Sequence, residues 1–200
     1  MQDDSVASLV SERRVERGAK IKLVILDRDG VINYDSEDYI KSPEEWHPIP
    51  GSLEAIARLN NAGISVAVAT NQSAVARGLC DLEDINAIHQ ELRSRLSAVG
   101  GRIEVIAFCH HGPTNGCDCR KPLPGLLREI RRRIGFPLDG TPMIGDSRRD
   151  LEAALGVGAQ PILVRTGNGE KTEHQLPPLL ADVPVFDDLS AAVDALLEQA

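Results

Sequence analysis

Two hydrophobic patterns alternate along this chain. Short apolar runs occur at 21–26, 64–69, 103–108, 141–144 and 161–165, and between them apolar residues recur every three or four positions. Runs of that length bounded by turn residues predict strands covered on both faces, and the longer period predicts amphipathic helices. After the first strand, Ser52 is the expected N-cap of a helix whose inner face carries Leu53, Ile56 and Leu59; Asn60–Gly63 stops it. Asp81, with Asp84 three residues on, predicts a capped helix with Ile85, Ile88, Leu92, Leu96 and Val99 as its stripe. Pro124 is the expected first residue of a third helix, with Leu126, Leu127, Ile130 and Ile134 facing inward and Arg131–Arg133 facing water. A fourth helix follows the strand at 141–144, with Asp150 in its first turn. Residues 170–181 read as loop, Val183–Phe186 as a short sixth strand and Leu189–Leu197 as a closing helix. The fold class expected is α/β, a single doubly wound parallel sheet with helices on both faces, spanning residues 21–200.

Composition narrows the function. Two hundred residues suit one domain with a sizeable core. A net charge of −8 with no basic run speaks against nucleic acid. The chain has no stretch of eighteen apolar residues to span a membrane. Residues 1–20 form a polar extension that lacks the apolar core of a secretory signal. Three of the four cysteines fall between 109 and 119, a clustering that points to metal rather than disulfides and suits a reducing cytoplasm. Polar helix faces are compatible with a monomer. Neither a Walker A sequence nor G-x-G-x-x-G is present.

The chemistry gathers where strands end. Asp27 and Asp29 follow the first strand two residues apart, a spacing that lets both address one site. Asp27 is the candidate nucleophile and Asp29 its acid/base partner. Two carboxylates this close need a cation or a proton between them, and carboxylate and carbonyl oxygens suit a hard cation. Thr70-Asn71-Gln72-Ser73 ends the second strand with hydrogen-bonding groups suited to phosphate. Gly145-Asp146-Ser147 ends the fourth with another acid. Cys109-x-His111…Cys117-x-Cys119 offers three thiolates and an imidazole, a full tetrahedral zinc set with no open position, so this zinc is expected to be structural. The spacing leaves His110 and His111 both open as the nitrogen ligand. Arg120 and Lys121 leave that loop as a clamp and a point charge for an anion. His89, on the second helix, reads as surface or packing. Open α/β sheets bind ligands at their carboxyl edge, so Asp27, Asp29, Thr70, Lys121 and Asp146 are expected to meet in one crevice.

D-R-D-G, T-N-Q-S, R-K after the cysteine loop and G-D-S-x-x-D together resemble the haloacid dehalogenase superfamily of phosphatases over residues 21–170. The fuller motifs L-D-R-D-G-x-I-N, T-N-Q-S-x-x-A-R-G, C-D-C-R-K-P and V-R-T-G are similar to its heptose-bisphosphate phosphatases; the short cysteine loop is also like the histidinol-phosphate phosphatases. The resemblance implies a small-molecule substrate, a sugar bisphosphate that loses its C7 phosphate through an aspartyl phosphate on Asp27, on the route to nucleotide-activated heptose for cell-surface polysaccharide. It implies magnesium on Asp27, the Asp29 carbonyl and Asp146, with Asp150 in support, and zinc on Cys109, His111, Cys117 and Cys119. Thr70 and Lys121 would stabilise the phosphoryl group. Arg28, Asp35, Tyr39, Asn71, Gln72, Ser73 and Arg120 would bind substrate. No insertion is long enough for a large cap domain. Val31 stands where threonine is usual in the relatives, and Ser147 where some carry lysine. The reading from another class is a receiver-like phosphoacceptor domain, which would take up one phosphoryl group and stop.

Overall fold

A computed structural model describes residues 21–198; the polar extension at 1–20 lies outside them. Six strands, β1 (Leu23–Leu26), β2 (Ser65–Asn71), β3 (Val105–Cys109), β4 (Pro142–Gly145), β5 (Gln160–Val164) and β6 (Val185–Phe186), form one sheet. Its order is β3-β2-β1-β4-β5-β6 and every pairing is parallel. The doubly wound expectation holds. The chain winds outward from β1 to β3, then returns to pair β4 with β1. The carboxyl ends of β1 and β4 therefore flank a topological switch point, where connecting loops diverge and leave a crevice.

The continuous apolar character of the strands follows from burial on both faces. Val24, Leu26, Val66 and Val68 pack under α1 (Ser52–Asn61), α2 (Leu82–Ala98) and α6 (Leu189–Leu197). Their neighbours Leu23, Ile25, Ala67 and Ala69 point the other way, under α3 (Gly125–Ile134) and α4 (Arg148–Leu155). Alternate residues of one strand thus belong to two cores.

Several boundaries differ from the pattern-based expectation, each for a local reason. Strand β2 runs on to Asn71 because Thr70 and Asn71 keep their register with Phe108 and Cys109. Ser52 does not cap α1: its hydroxyl donates to the Ile32 carbonyl at 2.6 Å, and Gly51, at φ 81°, takes the cap position. Pro124 precedes α3 as its N-cap rather than opening it. Val99 lies just past α2 and is exposed, whereas the other four stripe residues are buried. The Asp81–Asp84 capping box forms as expected. The segment expected as loop contains a short helix, α5 (Gly169–Glu173). Trp46 packs fully buried in the core, anchoring the long 34–50 connection, with the Arg95 guanidinium 5.6 Å from its ring centre.

Candidate active site

At the switch point lies a cleft of about 390 Å³, walled by the ends of β1, β2 and β4 and by the 34–40 loop. Asp27, Asp29, Thr70, Lys121 and Asp146 all line it, as their positions after the strands require. Asp35, Tyr39, Asn71, Gln72, Ser73 and Arg120 line it too.

The floor is a compact charge cluster. Lys121 is 2% exposed, and its Nζ lies 2.8 Å from Asp27 Oδ1, 2.5 Å from Asp150 Oδ1 and 2.7 Å from the Ala69 carbonyl. Burial alone would lower Lys121, but Asp150 and Asp27 outweigh it and hold the ammonium above its ordinary pKa. Burial, then the charge of Asp150, push Asp27 well above the usual carboxylate range, while Lys121 pulls it down. Burial and Asp150 likewise raise Asp146 to about 7, although Asn168 donates to its Oδ2 from both backbone (2.8 Å) and side chain (3.1 Å). Asp150 is held ionised: burial opposes this, but Lys121 and the Ser147 cap prevail.

Oxygen atoms of Asp27, Asp146 and Asp150 lie within 4.8 Å of one another. Buried acids that close, two of them reluctant to ionise, are the donor set a divalent cation satisfies. The surrounding backbone leaves room only for the acid. A Cβ at Gly30 (φ 79°) or at Gly167 (φ 60°) would collide with Asp146 Oδ2. These residues fit magnesium.

The cysteine loop also fits its expected metal. Cys109, His111, Cys117 and Cys119 converge, and the ring nitrogen that does so is Nδ1 of His111. The Sγ separations of Cys109 are 3.2 Å to Cys119 and 3.7 Å to Cys117; His111 Nδ1 lies 3.3 Å from Cys119 Sγ and 3.6 Å from Cys109 Sγ. A tetrahedral zinc needs edges of roughly 3.6–3.8 Å, within a short relaxation of these. Burial and the two neighbouring thiols push Cys119 up to about 12, a cost that a bound cation removes. The loop meets the cleft through Arg120, whose Nη1 donates to the His111 carbonyl at 3.2 Å.

Arg28 does not line the cleft, which corrects its expected place among the substrate contacts. It is fully buried, and its guanidinium is spent on Asp29, Gln72 and His89. Asn71 reaches the cleft, but its amide clamps the backbone of Lys121, donating to the carbonyl and accepting from the N–H, both at 3.1 Å. Val31 is fully buried in the core, so the missing threonine hydroxyl has no counterpart facing the cleft. His89 packs edge-on against Phe108, ring centres 5.3 Å apart, in line with the packing expectation.

Three cleft residues escaped the sequence reading of roles. Asn168 ties Asp146 to Asp35, donating to the Asp35 carboxylate at 3.0 Å. Arg149 lines the cleft and an adjoining cavity of about 430 Å³ beside the cysteine loop. Arg77 lines the cleft and stacks 5.5 Å over the Tyr39 ring. The doubled arginine after Gly145-Asp146-Ser147 was the available signal for Arg149; nothing in the linear pattern marked Asn168.

Comparison with known proteins agrees with this geometry. Residues 118–192 match a HAD-hydrolase-like family model. The D-glycero-β-D-manno-heptose-1,7-bisphosphate 7-phosphatase of Pseudomonas putida is 54% identical over 177 residues, covering 88% of this chain and 100% of the relative. The chain belongs to the heptose-bisphosphate phosphatase family. The P. aeruginosa member is 54% identical over 88% of this chain and 98% of its own length. The crystal structure of the Bordetella bronchiseptica heptose-bisphosphate phosphatase, complexed with magnesium and phosphate, superposes with a TM-score of 0.86 at 52% identity, over 90% of this chain and 100% of that one. The similarity therefore runs through the whole domain and favours heptose bisphosphate over histidinol phosphate.

Proposed function

We propose that this protein hydrolyses the C7 phosphate of D-glycero-β-D-manno-heptose 1,7-bisphosphate with magnesium, as a cytoplasmic monomer that supplies heptose 1-phosphate for cell-surface polysaccharide. The observation that carries the chemistry is Asp27 at the switch point, paired with buried Lys121 beside Asp146 and below a rim of Arg77, Arg120 and Arg149. The β configuration is the one named in the relatives.

Asp27 attacks the C7 phosphorus, the bond to the sugar oxygen breaks, and an aspartyl phosphate forms. Asp29 gives its proton to the departing oxygen and then takes one from the water that cleaves the acyl phosphate. Burial alone would raise Asp29, but Arg28, Asn33 and Gln72 together hold it below the usual carboxylate range, the state a base needs. An arriving phosphate adds like charge beside it and raises its proton affinity, the state an acid needs. Lys121 and Thr70 meet the phosphoryl oxygens as charge builds. Magnesium, held by Asp27, the Asp29 carbonyl and Asp146, would neutralise part of that charge. The arginine rim offers planar donors to the second phosphate. Covalent transfer to Asp27 with release by Asp29 separates this reading from a receiver domain, which has no use for a second acid poised to activate water.

The test is phosphate release from the β- and α-bisphosphates and from histidinol phosphate, with the product phosphate located by NMR. Preferential loss of the C7 phosphate from the β-bisphosphate is expected. Preference for histidinol phosphate, or a single turnover, would overturn the reading.

A further inference from the structure

His89 is buried on α2, 7% exposed, and no step above uses it. It cannot touch substrate, because it does not line the cleft. What it touches is Arg28. The guanidinium lies in a fully protein-filled space and donates Nε to Asp29 Oδ1 (3.0 Å), Nη2 to Asp29 Oδ2 (3.1 Å) and Nη2 to Gln72 Oε1 (3.0 Å). Its remaining edge, Nη1, faces His89 Nε2 at 3.4 Å. Burial and the charge of Arg28 push His89 down to about 3, so its ring is neutral and offers a lone pair to that N–H. The ring is braced by its edge-on contact with Phe108.

We propose that His89 is a positioning residue: by holding the far edge of Arg28, it fixes the plane of the guanidinium and so aims the Asp29 carboxylate at the leaving oxygen. The inference rests on Asp29 being the acid of the proposed reaction. A guanidinium is a rigid fork, so its direction on Asp29 is set by whatever holds its other end. Gln72 braces the same carboxylate from a second side, donating Nε2 to Asp29 Oδ2 at 2.7 Å and to Thr70 Oγ1 at 2.8 Å. Asn33 adds a fourth donor to Asp29 at 2.8 Å. Without His89, a buried charged donor is left unpaired, and such a group swings toward any acceptor it can reach. Removing its anchor therefore misdirects the acid while leaving the Asp27 carboxylate and Lys121, which hold each other and do not bond the guanidinium, in place.

That selectivity gives a test which a general loss of structure does not mimic. A sugar alkoxide departs only with a proton, whereas p-nitrophenolate departs without one. His89→Phe keeps the ring and its contact with Phe108 but removes the acceptor. Its kcat/KM for the heptose bisphosphate is expected to fall about tenfold, and for p-nitrophenyl phosphate by less than about twofold, since only the first needs the aimed acid. His89→Gln, whose amide oxygen reaches the position of Nε2, is expected to recover the sugar substrate to within about threefold. His89→Asn, polar but too short, is expected to behave like the Phe variant, and it serves in its place if His89→Phe does not fold. Equal losses on both substrates, or no loss on the sugar, would overturn the proposal. Asp29→Asn is the control. Its kcat should fall on both substrates, because Asp29 also activates the water, so the control is read in kcat/KM, which stops at loss of the leaving group. If kcat/KM falls equally on both substrates, or on neither, the assignment of Asp29 as acid fails; if it falls selectively and that of the His89 variants does not, only the role of His89 fails.

Discussion

Lys121→Met exchanges the buried ammonium for an apolar side chain of similar length. In the wild type, one cation 2% exposed sits 2.8 Å from Asp27 and 2.5 Å from Asp150, and both acids lie within 4.8 Å of Asp146. Two unit charges 4 Å apart interact by about 4 kcal/mol at an effective dielectric constant of 20. Removing one partner of a buried pair costs about 3–5 kcal/mol, because the other charge stays buried and unbalanced. Protonation of an acid caps that cost, so about 3 kcal/mol is expected for the metal-free protein at neutral pH, a sizeable share of a typical 5–15 kcal/mol. Magnesium restores positive charge beside Asp27, in the same cluster of acids, and should stabilise the variant more than the wild type. Urea unfolding at pH 7.5, in chelator and again in millimolar magnesium, measures both effects. Turnover should fall about 10²–10³-fold in either condition, since magnesium cannot supply the lost donor to the phosphoryl oxygens. A variant within about 1 kcal/mol of the wild type in chelator, or stabilised equally by magnesium, would refute the charge balance argued for the cleft floor.

The pH dependence has a definite sign. Asp146 titrates near 7 when folded but near 3.8 when unfolded, so in magnesium-free solution the folded state holds a proton between those values that the unfolded state releases. The stability of the wild type relative to Asp146→Asn should therefore fall as pH rises from about 4 to 7, by up to ~4 kcal/mol. A flat difference across that window would show that Asp146 is not the strained acid. In the cysteine loop, Cys117→Ser should lower bound zinc from about one per chain to well below it and reduce the melting temperature. Full retention of zinc by that variant, measured by elemental analysis, would contradict the four-ligand site.

The apolar runs were sufficient for the fold class, because strands covered on both faces and helices covered on one leave different periods in a sequence. The motifs placed Asp27, Thr70 and Asp146 at strand ends and Lys121 at the exit of the cysteine loop that follows β3, and a parallel sheet brings such ends together. The cysteine spacing likewise marked its own cluster, since four soft ligands within eleven positions have few other uses. Directions were not legible. Arg28 sits between two cleft acids in sequence, yet at the turn after β1 its side chain runs inward to a partner on α2, 61 positions away. Ser52 has the chemistry of a cap but finds the Ile32 carbonyl first. Asn168 and Arg149 join the cleft because β4 pairs with both β1 and β5, which brings the start of α4 and the loop after β5 to the end of β1, a neighbourhood created by sheet order rather than by local pattern. Sequence alone determined which polar and charged side chains were available near the sheet's carboxyl edge and which segments bury their apolar faces, because residue type and period are local properties. The tertiary structure decided which acids lie close together, which amides are spent on the backbone, and which side chains hold the buried guanidinium that meets Asp29, because those depend on contacts between segments distant in the chain.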